Sequence, residues 1–126
     1  IATAFLGRVP NIHGFRRGRA FASWLGLTPR EFSSGSNRRL GKITRRGDTY
    51  LRTLLIHGAR SAMLAAKRQH NAGKPLTRLQ AWALDRQEHL GHNKAAVALA
   101  NKMARIIWAV WTRDTPFNGN DALRFE

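Results

Sequence analysis

At 126 residues and 14.2 kDa the chain makes one domain with a modest core, and its hydrophobic share of 43% argues against wholesale disorder. Twenty-two Lys and Arg against seven Asp and Glu leave a net charge of +15, a self-repulsion that opposes compactness unless a polyanion screens it. Cysteine is absent, which excludes a disulfide framework and a thiolate metal site, and no apolar run reaches membrane-spanning length.

The apolar opening Ile-Ala-Thr-Ala-Phe-Leu reads as the tail of an interrupted helix and suggests a fragment of a longer protein. Gly7 to Gly14, with Pro10 and Asn11, reads as a loop, so residues 1–14 form the remnant of a preceding helix and its connection. A short helix is expected over about 17–25, where Ala20, Phe21, Trp24 and Leu25 recur at helical spacing. Gly26 ends it, and Thr28-Pro29 prevents its resumption. From Arg30 to Arg46 no helical period appears, and two strands are expected, about 31–34 and 39–44, with a turn at Gly35–Arg38.

Asp48 is the expected N-cap of a long helix with an apolar stripe of Leu51, Leu54, Leu55, Ala59, Ala62, Met63 and Ala66. Asn71 to Pro75 breaks it, and a further helix runs from about Thr77 to Leu90, stopped by Gly91. Asn93 is the expected cap of a last helix to about Thr112, apolar nearly all round and therefore central. The expected fold is mainly α: a small domain of four to five helices with one short basic β-hairpin near residues 31–46, spanning 15–113, followed by a loose tail at 114–126.

The charge points to nucleic acid, since phosphate contacts supply most non-specific affinity and the bias to Arg suits phosphates and base edges. Four groups of residues carry candidate chemistry. His89 and His92 straddle Gly91 at a helix end with no further ligand set, and read as a solvated pair. Asp48 is explained as a cap and Asp85 and Glu88 as a helix surface, so a two-metal carboxylate site is not expected here.

The run Ser33-Ser34-Gly35-Ser36 is followed closely by Arg38, Arg39, Lys42, Arg45 and Arg46. Serines beside glycine are usually turn residues, but guanidinium groups around them can stabilise an alkoxide and the charge on an attacked phosphate. Asn101, Lys102 and Arg105 interrupt the last helix, either on its wet side or facing a nucleic-acid groove with the hairpin.

Taken together, Phe15-x-x-x-Arg19-x-Phe21-Ala22-x-Trp24-Leu25-Gly26-Leu27-Thr28-Pro29, then Ser33-Ser34-Gly35, then Leu40-Gly41-Lys42-Ile43-x-Arg45-Arg46-Gly47-Asp48-x-Tyr50-Leu51-Arg52 resemble the C-terminal domain of insertion-sequence-110 family transposases. Ala98-Leu99-Ala100-Asn101-Lys102-x-Ala104-Arg105-x-x-Trp108-Ala109 is similar to that family's closing helix. The resemblance implies a DNA recombinase whose Mg²⁺-binding carboxylates (a DEDD set) lie in an N-terminal RuvC-like domain outside this chain. It implies a serine nucleophile here, Ser34 or alternatively Ser33, and an element-encoded bridge RNA that guides target and donor choice.

On this reading Arg38, Arg39, Lys42, Arg45 and Arg46 contact DNA or RNA phosphates, supported by Arg52, Lys102 and Arg105. It also implies a homo-oligomer of the full-length protein, no cofactor in this domain, no membrane partner, and a cytoplasmic, nucleoid-associated bacterial or archaeal location. Ser36 stands where the family usually has a second glycine, which loosens the local backbone argument. Two other readings compete: a non-catalytic helical DNA/RNA-binding module, and a structural role in which tryptophans such as Trp108 and Trp111 anchor an oligomer interface.

Overall fold

A computed structural model describes residues 2–9, 11–27, 29–34, 37–43 and 48–113, the strands through their backbone pairing. These residues form a mainly α domain of five helices and a hairpin: α1 Ala2–Arg8, α2 Gly18–Trp24, β1 Pro29–Ser34, β2 Asn37–Ile43, α3 Thr49–Asn71, α4 Arg78–Leu90 and α5 His92–Arg113. A single 3-10 turn at Ile12–Gly14 lies between α1 and α2.

The helix ends follow from local chemistry. α2 finishes in a Schellman motif, with Leu27 N–H donating to Ala22 C=O and Gly26 N–H to Ser23 C=O, at 3.0 and 2.9 Å. Gly26 has φ 79°, a left-handed conformation that glycine adopts at no steric cost. α3 ends the same way: Lys74 N–H reaches Gln69 C=O, Gly73 N–H reaches His70 C=O, and Gly73 has φ 73°. Thr77 and Gln80 form a reciprocal capping box at the start of α4.

Two boundaries differ from the sequence reading. α1 continues through Gly7 and Arg8, because Phe5 and Val9 are both buried one turn apart and hold the chain helical. α5 begins at His92, with Asn93 inside its first turn rather than capping it. Gly91, at φ 85°, closes α4 and at once offers its carbonyl to Ala95 N–H, so no separate cap intervenes.

The strands pair antiparallel and reach further toward each other than the pattern suggested, so Asn37 and Arg38 belong to β2 rather than to the turn. Residues 35–36, the middle of the expected turn, lie outside the described residues, as do 44–47 with Arg45 and Arg46, and the tail 114–126.

α5 packs against α2, α3, α4 and the 3-10 turn, which makes it the central helix. Its buried positions are mostly small (Ala95, Ala96, Ala100, Ala104 and Ala109), letting three helices approach one axis. The backbones of α2 and α5 approach closely at Gly18: a Cβ there would lie 3.1 Å from Arg105 Cα. Phe21, fully buried, anchors α2 among Phe5, Phe15 and Trp24, with ring centroids 5.3 to 6.2 Å away.

Asp48 does more than cap α3. Its carboxylate accepts from Leu51 N–H at 3.1 Å and from Arg8 Nε and Nη2 at 2.6 and 3.2 Å, while the Arg8 guanidinium sits 4.9 Å from the Tyr50 ring centroid. The Arg8 hydrogen bond, more than the backbone one, holds the Asp48 carboxyl below its ordinary pKa. Asp48→Ala loses cap and ion pair together, and the cap alone is worth about 1 kcal/mol. Asp48→Asn keeps a capping oxygen and loses only the pair. Urea midpoints are therefore expected to rank wild type above Asp48→Asn above Asp48→Ala, and equal midpoints would remove the cap from the account.

Candidate nucleic-acid interface

The register of the hairpin places the serines. Ser34 pairs with Asn37, Ser33 with Arg38, Phe32 with Arg39 and Glu31 with Leu40, the one irregularity lying between Pro29 and Glu31. Residues directly opposite share a face of an antiparallel ribbon, and successive residues alternate. Ser34 therefore belongs to the face of Phe32, Asn37 and Arg39, whereas Ser33 belongs to that of Glu31, Arg38 and Leu40. Lys42 is further along β2, toward the end where Ile43 pairs with Pro29.

The supporting cations of the sequence reading lie on the helices and are not alike. Arg52, in the first turn of α3, is half-buried and directs Nη2 to Thr49 Oγ1 at 3.5 Å. Lys102, expected among the phosphate contacts, is instead fully buried, its Nζ 4.6 Å from the Trp82 ring centroid. An ammonium enclosed this way is out of reach of a docked backbone. Sequence alone hid this, because α5 is apolar on several sides and the position of Trp82 is a long-range matter. Asn101 is half-buried too, donating to Leu27 C=O at 3.3 Å and so tying α5 to the end of α2.

Burial, and then the Arg105 charge, push Lys102 down to a pKa of about 8 from its ordinary 10.5. Between these values the unfolded chain holds the extra proton, so stability from this group is missing below pH about 8 and gained as pH rises toward 10.5. Urea midpoints of wild type should rise from neutral pH to pH near 10 relative to Lys102→Met, which lacks the titrating group. An identical rise in both proteins would assign the effect to other lysines.

Arg105 is partly buried one turn beyond Asn101, and its Nε has no hydrogen-bond partner among the described residues. Burial and the nearby Arg19 charge lower its pKa from the ordinary value. Arg16, Arg17 and Arg19 are exposed at the start of α2. None of the three is among the phosphate contacts expected from sequence, although the run Arg-Arg-Gly-Arg is a visible signal.

The four tryptophans pack against the core: Trp24 in the aromatic group of Phe21, Trp82 beside Lys102, Trp108 donating to Phe15 C=O at 3.0 Å, and Trp111 on the inner side of α5. His89 and His92 are exposed, His89 Nδ1 lying 2.8 Å from Asp85 C=O. Among the described residues no three His, Asp or Glu side chains converge to hold a metal, and no helix is long and apolar enough to cross a membrane.

A family model described as the transposase IS116/IS110/IS902 family matches residues 1–73, more than half of the chain and all of α1 through α3 with the hairpin between. The chain belongs to this transposase family. It is 46% identical over 114 residues to a probable family 20 transposase of Pseudomonas aeruginosa, covering 90% of this chain and 32% of that protein. It is 40% identical over 116 residues to the transposase for insertion sequence element IS1111A of Coxiella burnetii, covering 92% and 30% respectively. A putative transposase of Sinorhizobium fredii is 40% identical over 111 residues, covering 88% and 27%. The chain thus spans between 27% and 32% of the length of these transposase relatives. No solved structure matches it.

Proposed function

We propose that this chain is the serine-bearing part of a DNA recombinase of the transposase family, with Ser34 as nucleophile and β2 as its phosphate-binding strand. The observation that carries this is the pairing of the two serines with Asn37 and Arg38, next to Arg39, at the turn end of a strand bearing Arg38, Arg39 and Lys42. In the step proposed, Ser34 Oγ bonds to phosphorus while the bond from phosphorus to one sugar oxygen breaks. The hydroxyl proton is carried to that oxygen by a base outside this chain, and the strand end leaves as an alcohol. Attack by a sugar hydroxyl of another strand on the phosphoserine diester reverses the sequence, joins the new strands and restores Ser34 Oγ–H. The guanidiniums of β2 offset charge on the phosphoryl oxygens as the bond order changes.

The described residues do not fit a Mg²⁺ site: Asp48 is occupied by Arg8 and the α3 N-terminus, and Asp85, on α4 with Glu88, is paired with Arg86 and His89. The proposal keeps Mg²⁺ for a RuvC-like domain of the full-length protein. DNA as substrate, a bridge RNA as guide and a homo-oligomer as the acting form complete the proposal.

The test is to trap the intermediate, using full-length protein, its guide RNA and a DNA substrate nicked so that rejoining fails. A phosphodiester-linked nucleotide is expected on the peptide containing Ser34. If DNA is bound and no protein–DNA adduct forms, the non-catalytic helical binding module is the better reading.

A further inference from the structure

Away from the hairpin, four arginines are gathered where the start of α2 lies on α5. Phe15 C=O is held by Trp108 Nε1–H at 3.0 Å, and Gly18 rests on Arg105 so closely that an added Cβ would lie 3.1 Å from the Arg105 Cα. These two contacts lie three residues apart on both segments, so the backbone carrying Arg16, Arg17 and Arg19 is fixed against the turn of α5 that carries Arg105. The first three side chains are exposed; Arg105 is half-buried and its Nε lacks a hydrogen-bond partner among the described residues.

Arg19 and Arg105 are close enough for one charge to disfavour the other. Among the described residues Asp48 pairs with Arg8, Asp85 pairs with Arg86 and His89, and Glu88 lies exposed on α4. A larger residue at Gly18 would push α2 away from α5 and disperse the group. Like charges with no carboxylate partner among the described residues, on a backbone fixed by a glycine contact and an indole hydrogen bond, form a rigid cationic edge suited to an anion with several oxygens.

We propose that Arg16, Arg17, Arg19 and Arg105 form a second phosphate-binding edge, separate from the hairpin, that grips the phosphodiester backbone of a nucleic acid. Successive phosphates offer repeated anionic groups to the exposed forks, and the partly buried Arg105 takes the innermost one. The proposal rests on the nucleic-acid reading of the previous section and adds a surface to it that holds a strand without reacting with it.

The experiment measures binding of the chain to a short DNA duplex and, separately, to an RNA stem-loop across a salt titration. Each phosphate contact on duplex DNA contributes roughly −0.9 to the slope of log K against log salt. Arg17→Gln/Arg19→Gln is expected to make the slope shallower by about two contacts and weaken binding roughly ten-fold or more. Arg17→Lys/Arg19→Lys, which keeps the charge, should retain most of the slope. Arg60→Gln/Lys67→Gln, on the exposed side of α3, should leave it unchanged, and thermal melting of every variant verifies that it is folded.

Loss confined to the DNA probe or to the RNA probe supports the edge and tells which strand occupies it. A slope unchanged in Arg17→Gln/Arg19→Gln, while Arg38→Gln/Arg39→Gln lowers it, overturns this edge and leaves the hairpin reading standing. Absence of salt-dependent binding by the wild-type chain to both probes overturns the two readings together.

Discussion

A Ser34→Ala variant of the full-length transposase is expected to bind DNA and guide RNA with nearly wild-type affinity and to yield neither recombinant product nor protein–DNA adduct. Deleting one hydroxyl removes little binding surface, whereas deleting a nucleophile removes the bond that defines the intermediate. Losses of about 10⁴-fold or more are typical when a nucleophilic serine is replaced. The adjacent hydroxyl is a poor substitute. Ser33 is the next residue along β1, so strand alternation assigns it to the opposite face, with Arg38 and not Arg39.

Ser33→Ala should accordingly keep most of the activity. The reverse result, an inactive Ser33→Ala and a working Ser34→Ala, moves the reacting group to the face of Arg38. Full activity in both single variants and in the double variant eliminates serine catalysis by β1. Binding by gel shift, adduct by denaturing gel and product by strand-exchange assay separate these cases, because affinity and chemistry are read independently.

The parts of this fold that sequence reveals are those decided within a few residues. Asp48 as a cap, Thr77 three residues before Gln80, and glycines at 26, 73 and 91 each set a helix boundary through hydrogen bonds of short span. The burial of Leu51, Leu55, Ala59, Met63 and Ala66 on one stripe of α3 follows from helical periodicity. Ala62, included in that stripe by its apolar character, is exposed because no other element among the described residues covers its side of α3.

Longer-range decisions were not legible. Arg8 reaches Asp48 across forty residues of sequence separation, and nothing near either residue announces the pair. Lys102 and Arg105 look equivalent on a helical wheel, yet one is enclosed over Trp82 and the other opens toward Arg19. The difference depends on where α4 and α2 lie against α5. The serines of the hairpin were legible as a chemical opportunity, but which face each serine takes depends on the strand register.

Phe21→Ala, which truncates the largest fully buried side chain among the described residues, is expected to have a large effect on folding. Phe21 is fully buried and contacts rings from α1, from the 3-10 connection and from its own helix, so no single element can move to fill the space. Truncating a buried Phe costs about 3–5 kcal/mol, against a total near 5–15 kcal/mol for a typical domain. The net charge of +15 makes the margin smaller at low salt.

The variant should therefore melt far earlier than wild type and lose part of its helical signal at low ionic strength, with added phosphate restoring some of it by screening. Phe21→Leu keeps the apolar volume better and should cost about 1–2 kcal/mol. The consequence extends to binding, because α2 carries Arg17 and Arg19 against α5 and is held there by the Phe21 side chain. Nucleic-acid affinity of Phe21→Ala should fall at low salt and recover as phosphate refolds α2, until further phosphate competes for the same arginines. A monotonic decline in affinity with phosphate, indistinguishable from wild type, would mean that packing around Phe21 does not position the cationic edge.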